Sequence, residues 1–414
     1  MPTALLVQIQ TPSGAWVDVG ILYSLETRNW FEFSESYWNL GDRPVLGQIF
    51  EEKGPGWQPS AHTALPHWFS HLLPEGRLRD AVASAAKISP VREFNLIARI
   101  GLDDLPGALR IRPADSVAGT ALTPPELEEA ENPGEESSPL VKFSLSGTQL
   151  KFSIYRAGSG LTVPVKGRAG NAIAKLPDGR ADFTGIPEAE LACLNLAARA
   201  GLSVPARRLA QLSSISGLEE WAERVRDPVL IVDRFDRKSG DRRVHMEELA
   251  QVLNIPTARQ DAKYVRANFE TVASYVGALA GVDAVSDVID RIVLNILAGN
   301  GDAHLKNWAI LYPDGVTPTL SPLYDVLPTV LYLPDDDMGL KLDGSRDFGS
   351  VRLASFDRLA ARTGIGVQRA RDRVRESVTR VADHWDELAD LLTREHYARL
   401  TKRRDSLPLV AEVR

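Results

Sequence analysis

The sequence predicts an α+β chain, because strand patterns fill most of its first part and helical patterns its last, with an acidic segment between two strand-rich stretches. Val7 to Ile9 and Trp16 to Leu22 alternate apolar and polar residues, as half-buried strands do. PVLIVDRF, Pro228 to Phe235, is the continuous apolar run of a buried strand that ends in a polar turn. Beyond about Pro256 the apolar residues recur at helical spacing, and the last seventy residues carry amphipathic helices rich in Arg, Asp and Glu.

Length and charge narrow the class. At roughly 150 residues per domain, 414 residues suggest two to three domains. Forty-four per cent hydrophobic and 25% charged residues describe a globular chain. A net charge of −7 lacks the basic footprint of a free-standing nucleic-acid binder. One cysteine, Cys193, leaves no internal disulfide and no cysteine-based zinc site. No H-E-x-x-H occurs, which argues against a zinc hydrolase. The N-terminus has no basic, then apolar, leader pattern, and the most apolar stretch, Val272 to Val285, is interrupted by Ser274, Tyr275 and Asp283. The expectation is a cytoplasmic protein that meets no membrane.

The elements come in this order. A helical stretch near His67 to Ala86 contains LPEGRLRD, Leu73 to Asp80, and Gly101 to Ile111 reads as a turn feeding a strand. Thr120 to Leu140 holds four prolines and six glutamates and almost no large apolar residue, the composition of a linker. We therefore divide the chain at 1–118, 119–140, 141–255 and 256–414. Val141 to Ser146 and Phe152 to Ile154 form a hairpin about Gly147, and Asn171 to Leu176 is a third strand. A helix runs from about Pro187 to Ala200, with Pro187 in its first turn and Gly201 as its C-terminal stop. Ser286 is read as the cap of a helix carrying Ile289, Ile292, Val293, Ile296 and Leu297, which stops at Gly299 to Gly301. Trp308 to Tyr312 and Thr317 to Leu320 pair about Pro313-Asp314-Gly315.

The chemistry concentrates in Gly299 to Asp325. Asp302 and Asn307 stand five positions apart in a loop after an apolar helix, and Asp325 comes after a short hairpin. Protein-kinase active sites use this order: a catalytic-loop Asp, a metal-binding Asn, then a second Asp for the metal. Phosphoryl transfer needs a carboxylate facing the acceptor hydroxyl and oxygen ligands for a hard cation such as Mg²⁺. Upstream, Ala172-Ile173-Ala174-Lys175 resembles the strand whose Lys pairs nucleotide phosphates, a helix carrying Glu190 comes next, and Asp233-Arg234-Phe235 falls where a hinge to adenine would sit. No GxxxxGK[ST] occurs, so a P-loop NTPase is not supported.

With these segments in hand the chain resembles the HipA-type serine/threonine protein kinases, toxins of bacterial toxin–antitoxin modules. The motifs are LPEGRLRD, the GxQxK loop Gly147 to Lys151, AIAKLPDG at Lys175, AELACLNLAARAGLSVP, VDRFDR at Asp233, GDAHLKN and SPLYD at Asp325. The resemblance implies a two-lobed protein-kinase-like fold with an extra N-terminal β-rich subdomain and an all-helical C-lobe. It implies Asp302 as catalytic base and Asn307 and Asp325 as magnesium ligands. It implies ATP contacts from Ser146, Gly147, Thr148, Gln149, Leu150, Lys151, Lys175, Asp233, Arg234, Phe235, His304, Leu305, Lys306, Asn307, Tyr324 and Asp325. Ser144 falls where family members phosphorylate themselves, which ejects the phosphate-side loop and stops ATP binding. The implied partner is a small helix-turn-helix antitoxin.

Two departures stand out. Asp233 opens the hinge where some members carry Glu. Leu340 to Arg352 interleaves acids where some members present a lysine-rich contact to operator DNA, so DNA is expected to be met only through the antitoxin. Some relatives phosphorylate an aminoacyl-tRNA synthetase, and no residue here reads out that choice. The alternatives are a kinase-shaped co-repressor and a small-molecule phosphotransferase. The intact Lys175, Asp302, Asn307 and Asp325 argue against the first, the N-terminal β subdomain and GxQxK loop against the second.

Overall fold

The computed structural model describes residues 3–102, 104–114, 150–158, 160–163, 169–177, 183–218, 228–259 and 261–414. The expected linker at 120–140, the strand Val141 to Ser146, and Ser144 and Ser146 to Gln149 lie outside the described residues.

The first sheet is built from β1 (Thr3–Gln10), β2 (Trp16–Leu25), β3 (Arg28–Phe33), β4 (Ser60–His62) and β5 (Leu109–Pro113), in the order β4-β3-β2-β1-β5. All its pairings are antiparallel, and Val7 of β1 stands opposite both Gly20 and Ile111. Its core is aromatic: Phe31, Phe50, Trp68 and Phe69 are fully buried together. The stretch read as one helix at 67–86 is two, His67–Ser70 and Gly76–Ala86, separated by a segment in which Pro74 cannot donate a helix hydrogen bond. A further helix, Glu93–Ile100, was not read from sequence.

The second sheet has the order β10-β7-β6-β8-β11-β9. Its strands are β6 (Lys151–Ala157), β7 (Gly160–Thr162), β8 (Ala172–Lys175), β9 (Arg207–Ala210), β10 (Ile215–Ser216) and β11 (Val229–Asp233). Strands β6 and β8 are antiparallel, with Lys151 directly opposite Lys175. Opposed residues of an antiparallel pair project on one face, so this register sends both lysines to the same side. Ile154, Ala172, Ala174 and Ile231 fill the core of the sheet.

The remainder packs around the helix Ala284–Ala298, whose Val288, Ile289, Ile292, Val293, Leu294 and Leu297 are all fully buried. This helix starts before the expected Ser286 cap, with Asp283 at its N-cap, because the buried Val285 draws the preceding turn into the core. Helices Ile186–Arg199, Phe269–Ala280 and Val367–Asp383 share that core. The hairpin read at 308–320 is present as β13 (Ala309–Tyr312) and β14 (Thr319–Leu320), and β12 (His245–Glu248) joins it as a third strand. Among the described residues no helix is long and apolar enough to cross a membrane.

The N-terminal subdomain is fastened to the rest by polar groups. Glu247, fully buried, accepts hydrogen bonds from Gln48 N (2.9 Å), Trp68 Nε1 (3.1 Å) and Tyr312 Oη (2.5 Å). Gln251 Nε2 donates to Trp68 O at 3.1 Å, and Gly107 N donates to Asp236 Oδ2 at 2.8 Å.

Candidate active site

The loop carrying Asp302 begins where the buried helix is forced to stop. Gly299 ends it in the left-handed region, at φ 74°. Asn300 then locks the turn: its Nδ2 donates to Asn295 Oδ1 at 2.8 Å and its Oδ1 accepts from Asp302 N at 3.0 Å. A Cβ at Gly301 would lie 1.9 Å from Asp336 Oδ2 and 2.5 Å from Asp337 O, so the close approach of that segment requires glycine. The GNGD tetrapeptide is therefore a geometric device that presents Asp302.

Asp302 is 7% exposed and bonded from two sides. Tyr264 Oη donates to its Oδ1, and Asn307 Nδ2 donates to its carbonyl at 2.9 Å. The second bond explains the five-residue spacing, since it closes the loop on itself. His304 Nε2 lies 3.9 Å from Asp302 Oδ1, but burial, aided by Lys263, lowers that imidazole to about 4. At neutral pH the contact is therefore dipolar rather than an ion pair. Tyr264 stands edge-on to the His304 ring, centroids 5.0 Å apart.

Asp325 holds the opposite side. Its φ is 59°, a left-handed conformation that Asp tolerates better than most residues but still adopts at a cost. Leu323 and Val326, both buried in the main core, fix the chain on either side. The Asp325 carboxylate is gripped by both lysines that the β6–β8 register aligned: Lys151 Nζ at 3.0 Å, and Lys175 Nζ, which also bonds Glu190 on helix Ile186–Arg199. Burial would raise the Asp325 carboxyl, but the Lys151 and Lys175 ammoniums overrule it and hold it far below the usual range. Burial alone would lower Lys175; Asp325 and Glu190 raise it instead, so the lysine is charged. Glu190 is pushed up by burial despite Lys175.

Other expected residues join the segments that carry Asp302 and Asp325. Tyr324 Oη donates to Lys306 O at 2.8 Å and its ring lies 5.4 Å from that of Phe235, so SPLYD, the GDAHLKN loop and the end of β11 meet there. Leu305 is buried in the main core. Leu150 O accepts from Leu176 N at 2.9 Å, extending the β6–β8 pairing. Asp233 is paired with Arg156. The Arg234 guanidinium is bonded to Asp236 and to Asp104 of the N-terminal subdomain, so its side chain is a fastening.

Sequence reasoning passed over several neighbours. Tyr264 contacts Asp302 across 38 residues, with no spacing pattern to betray it. Glu75 of LPEGRLRD receives Lys306 Nζ at 2.9 Å and Lys263 Nζ at 2.8 Å. The pair His67 and His71 does have the i, i+4 spacing of helix metal ligands, but His71 Nε2 is bonded to Ile255 O at 2.9 Å. Among the described residues, no group of three or more His, Cys, Asp or Glu is placed to hold a metal.

Comparison with known proteins gives a consistent result. Residues 143–385 match the HipA-like C-terminal domain and residues 16–112 the HipA N-terminal domain. The chain is 34% identical over 367 residues to a Sinorhizobium fredii protein named "Putative kinase Y4dM", covering 87% of this chain and 86% of that one. It is 24% identical to the serine/threonine-protein kinase toxin HipA of Shewanella oneidensis, over 75% and 73% of the two chains. Among solved structures, the Shewanella oneidensis HipA, HipB and operator DNA complex superposes with a TM-score of 0.72 at 19% identity, covering 98% of this chain and 96% of that one, a likeness of fold.

Proposed function

This chain belongs to the HipA family of kinases, and from that premise we propose that it is an ATP- and Mg²⁺-dependent serine/threonine protein kinase that acts as the toxin of a toxin–antitoxin pair. One observation carries the reading: Lys175 is bonded at once to Glu190 and Asp325, the ion-pair arrangement a kinase needs to hold nucleotide phosphates beside a metal-binding carboxylate.

In the proposed mechanism Asp302 orients and accepts the proton of the acceptor hydroxyl, held by Tyr264 and by the Asn307 bond to its carbonyl. Lys151 and Lys175 turn from Asp325 to the nucleotide phosphates, which offer more negative charge. Asp325 and Asn307 would then hold Mg²⁺, and the donor set fits, since Mg²⁺ takes one or two protein oxygens and completes its shell with phosphate and water. When bound, that ion neutralises phosphate charge. The left-handed strain at Asp325 is the local sign of a functional backbone position. Asp233 to Phe235 and Tyr324 line the nucleotide side.

Further parts of the reading rest on family membership. The partner is a helix-turn-helix antitoxin through which DNA is reached, supported by the HipA, HipB and operator DNA neighbour. The setting is the cytoplasm and the acceptor is a protein hydroxyl. Phosphate on Ser144 would add about −1.5 to −2 charge next to the phosphate-side loop and shut the site.

The test is transfer from labelled ATP to serine or threonine. Transfer should require Mg²⁺ or Mn²⁺, and Asp302→Ala should lower it at least about a hundredfold. Active preparations should carry phosphate on Ser144 by peptide mass spectrometry, and Asp302→Ala preparations should not. Undiminished transfer by Asp302→Ala removes the assignment of the base.

A further inference from the structure

LPEGRLRD lies outside both kinase lobes, and nothing in the proposed chemistry uses it. Yet Glu75, the residue that leads into helix Gly76–Ala86, reaches the loop that carries Asp302. Its Oε1 accepts from Lys306 Nζ at 2.9 Å, and its Oε2 accepts from Lys263 Nζ at 2.8 Å. Each lysine stands immediately before a residue that holds Asp302. Lys263 precedes Tyr264, whose hydroxyl donates to the Asp302 carboxylate. Lys306 precedes Asn307, whose amide donates to the Asp302 carbonyl at 2.9 Å. The Lys306 carbonyl in turn accepts from Tyr324, next to Asp325. One carboxylate of the N-terminal subdomain thus grips both arms that close on the proposed base.

We infer that Glu75 is a positioning residue by which the N-terminal subdomain sets the geometry of Asp302; its effect on catalysis rests on the kinase reading above. The lysine side chains are only 9% and 12% exposed, so two ammoniums brought to one place need an anion between them. Glu248 lies 3.5 Å from Lys306 and acts on Lys263 only at longer range, whereas Glu75 bonds both. Without Glu75 the two cations repel, and Lys263 is released together with the short segment that presents Tyr264. Glu75 itself is 42% exposed, so solvent screens part of its loss, but Lys306 and Lys263 overrule burial and hold its carboxyl well below the ordinary range, so the pairing also supports the fold. A positioning role is therefore read from the loop and from turnover, over and above any general loss of stability.

The experiment compares Glu75→Gln, Glu75→Asp and the wild-type full-length protein in two measurements. In hydrogen exchange, the 300–308 amides and those around Tyr264 should speed up in Glu75→Gln by more than the amides of β1 and β2, which report any general loss of stability. In phosphate transfer, kcat should fall by about ten- to a hundredfold, as a displaced catalytic group costs. KM for ATP should stay within about threefold. Glu75→Asp keeps the charge on a shorter arm and should restore part of both. Glu75→Gln combined with Lys263→Met should be less harmful than the product of the two single effects, because both remove one contact. Loop exchange that is unchanged in Glu75→Gln overturns the inference whether or not the protein is a kinase. Faster exchange in Glu75→Gln, with no phosphate transfer even by the wild-type protein, upholds the positioning and overturns the kinase reading instead. A KM effect with unchanged kcat also counts against the inference, since it assigns Glu75 to nucleotide binding.

Discussion

Two buried clusters in this molecule each contain two cations and two carboxylates, yet they are wired differently. In the first, Arg234 and Arg237 meet Asp236 and Asp104, and almost every contact is doubled by the backbone. Gly107 N donates to Asp236, Arg237 donates to Gly107 O and Leu105 O at 3.0 and 2.8 Å, and Arg234 donates to Leu105 O at 3.2 Å. In the second, Lys151, Lys175, Glu190 and Asp325 are joined by side chain to side chain bonds. A charge pinned to main chain can change partners only if the chain moves. A charge held by side chains can be handed to an incoming phosphate at the cost of rotamers. The first cluster is a fastening between subdomains; the second is the candidate site.

The sharpest way to break this distinction is to open the fastening. Asp236→Ala leaves two arginines and the Gly107 N–H without their shared acceptor. Removing one partner of a buried pair costs on the order of 3–5 kcal/mol, so the unfolding midpoint in urea should drop strongly. Burial would raise the Asp236 carboxyl, but Arg234 and Arg237 hold it far below its ordinary range. Its stabilisation is thus complete above the unfolded carboxylate pKa and fades as pH falls through the lower folded value. A stability within about 1 kcal/mol of wild type would show that the cluster is not a fastening.

Glu247 sharpens the contrast, because it is as buried as Asp236 but has neutral donors in place of arginines. Burial pushes its carboxyl up to about 7 against the pull of Tyr312, Gln48 and Trp68. The sign is therefore the reverse of that for Asp236. The folded state holds the proton more tightly, so stability is greatest below the unfolded value near 4.5 and declines as pH rises to about 7. The shift corresponds to about 3 kcal/mol across that window. Glu247→Gln should flatten the dependence, plus a pH-independent offset because its amide would face Trp68 Nε1. Parallel pH profiles for the variant and wild type would remove Glu247 as the titrating group.

The functional cluster should answer in activity. Lys175→Met keeps the length and apolar stem of the side chain but removes the charge that joins Glu190 to Asp325. Phosphate transfer should fall at least about a hundredfold, about 2.7 kcal/mol of transition-state stabilisation. Thermal unfolding should shift less than in Asp236→Ala, because Asp325 keeps Lys151 and Glu190, already pushed up by burial, can take a proton once the ammonium is gone. If Lys175→Met unfolds the protein as Asp236→Ala does, the two clusters do the same job.

What was legible in the sequence divides along the same line. Asp302, Asn307 and Asp325 could be read because their order within one short stretch is fixed by local chain geometry, the Asn307 bond to the Asp302 carbonyl above all. Lys175 and Glu190 could be read because one strand and the next helix bring them together. The α+β arrangement, with a β-rich N-terminal part, came from period-two and helical spacing. Helix Glu93–Ile100 was lost among short elements, and the Ser286 cap was misplaced because a buried Val285, a tertiary effect, moved the helix start. Glu75 could not be read at all: it meets Lys306 across 231 residues, and only the packing of two subdomains brings them together. The pairing of Arg234 and Arg237 with Asp104 was hidden for the same reason.

The smallest expected effect concerns that hinge. Asp233 ends β11 and pairs with Arg156, with side chains 28% and 39% exposed. The backbone beneath them is tied independently. Asn171 bonds both main-chain groups of Arg156, accepting from its N at 2.7 Å and donating to its O at 2.9 Å, and Arg234 N donates to Asn171 O at 2.9 Å. Arg156→Ala therefore removes a partly solvated ion pair and leaves the strand ends joined. An exposed pair contributes below about 1 kcal/mol, and the loss should shrink further in high salt, which screens it already. Unfolding should move by no more than that, and ATP affinity by less than about threefold, because Asp233 is freed without being displaced. The pair thus lies between the two clusters, ionic like both but wired to neither backbone nor substrate. A destabilisation approaching that of Asp236→Ala would mean that Arg156 and Asp233 hold β6 and β11 together after all, and that side-chain wiring alone can fasten this fold.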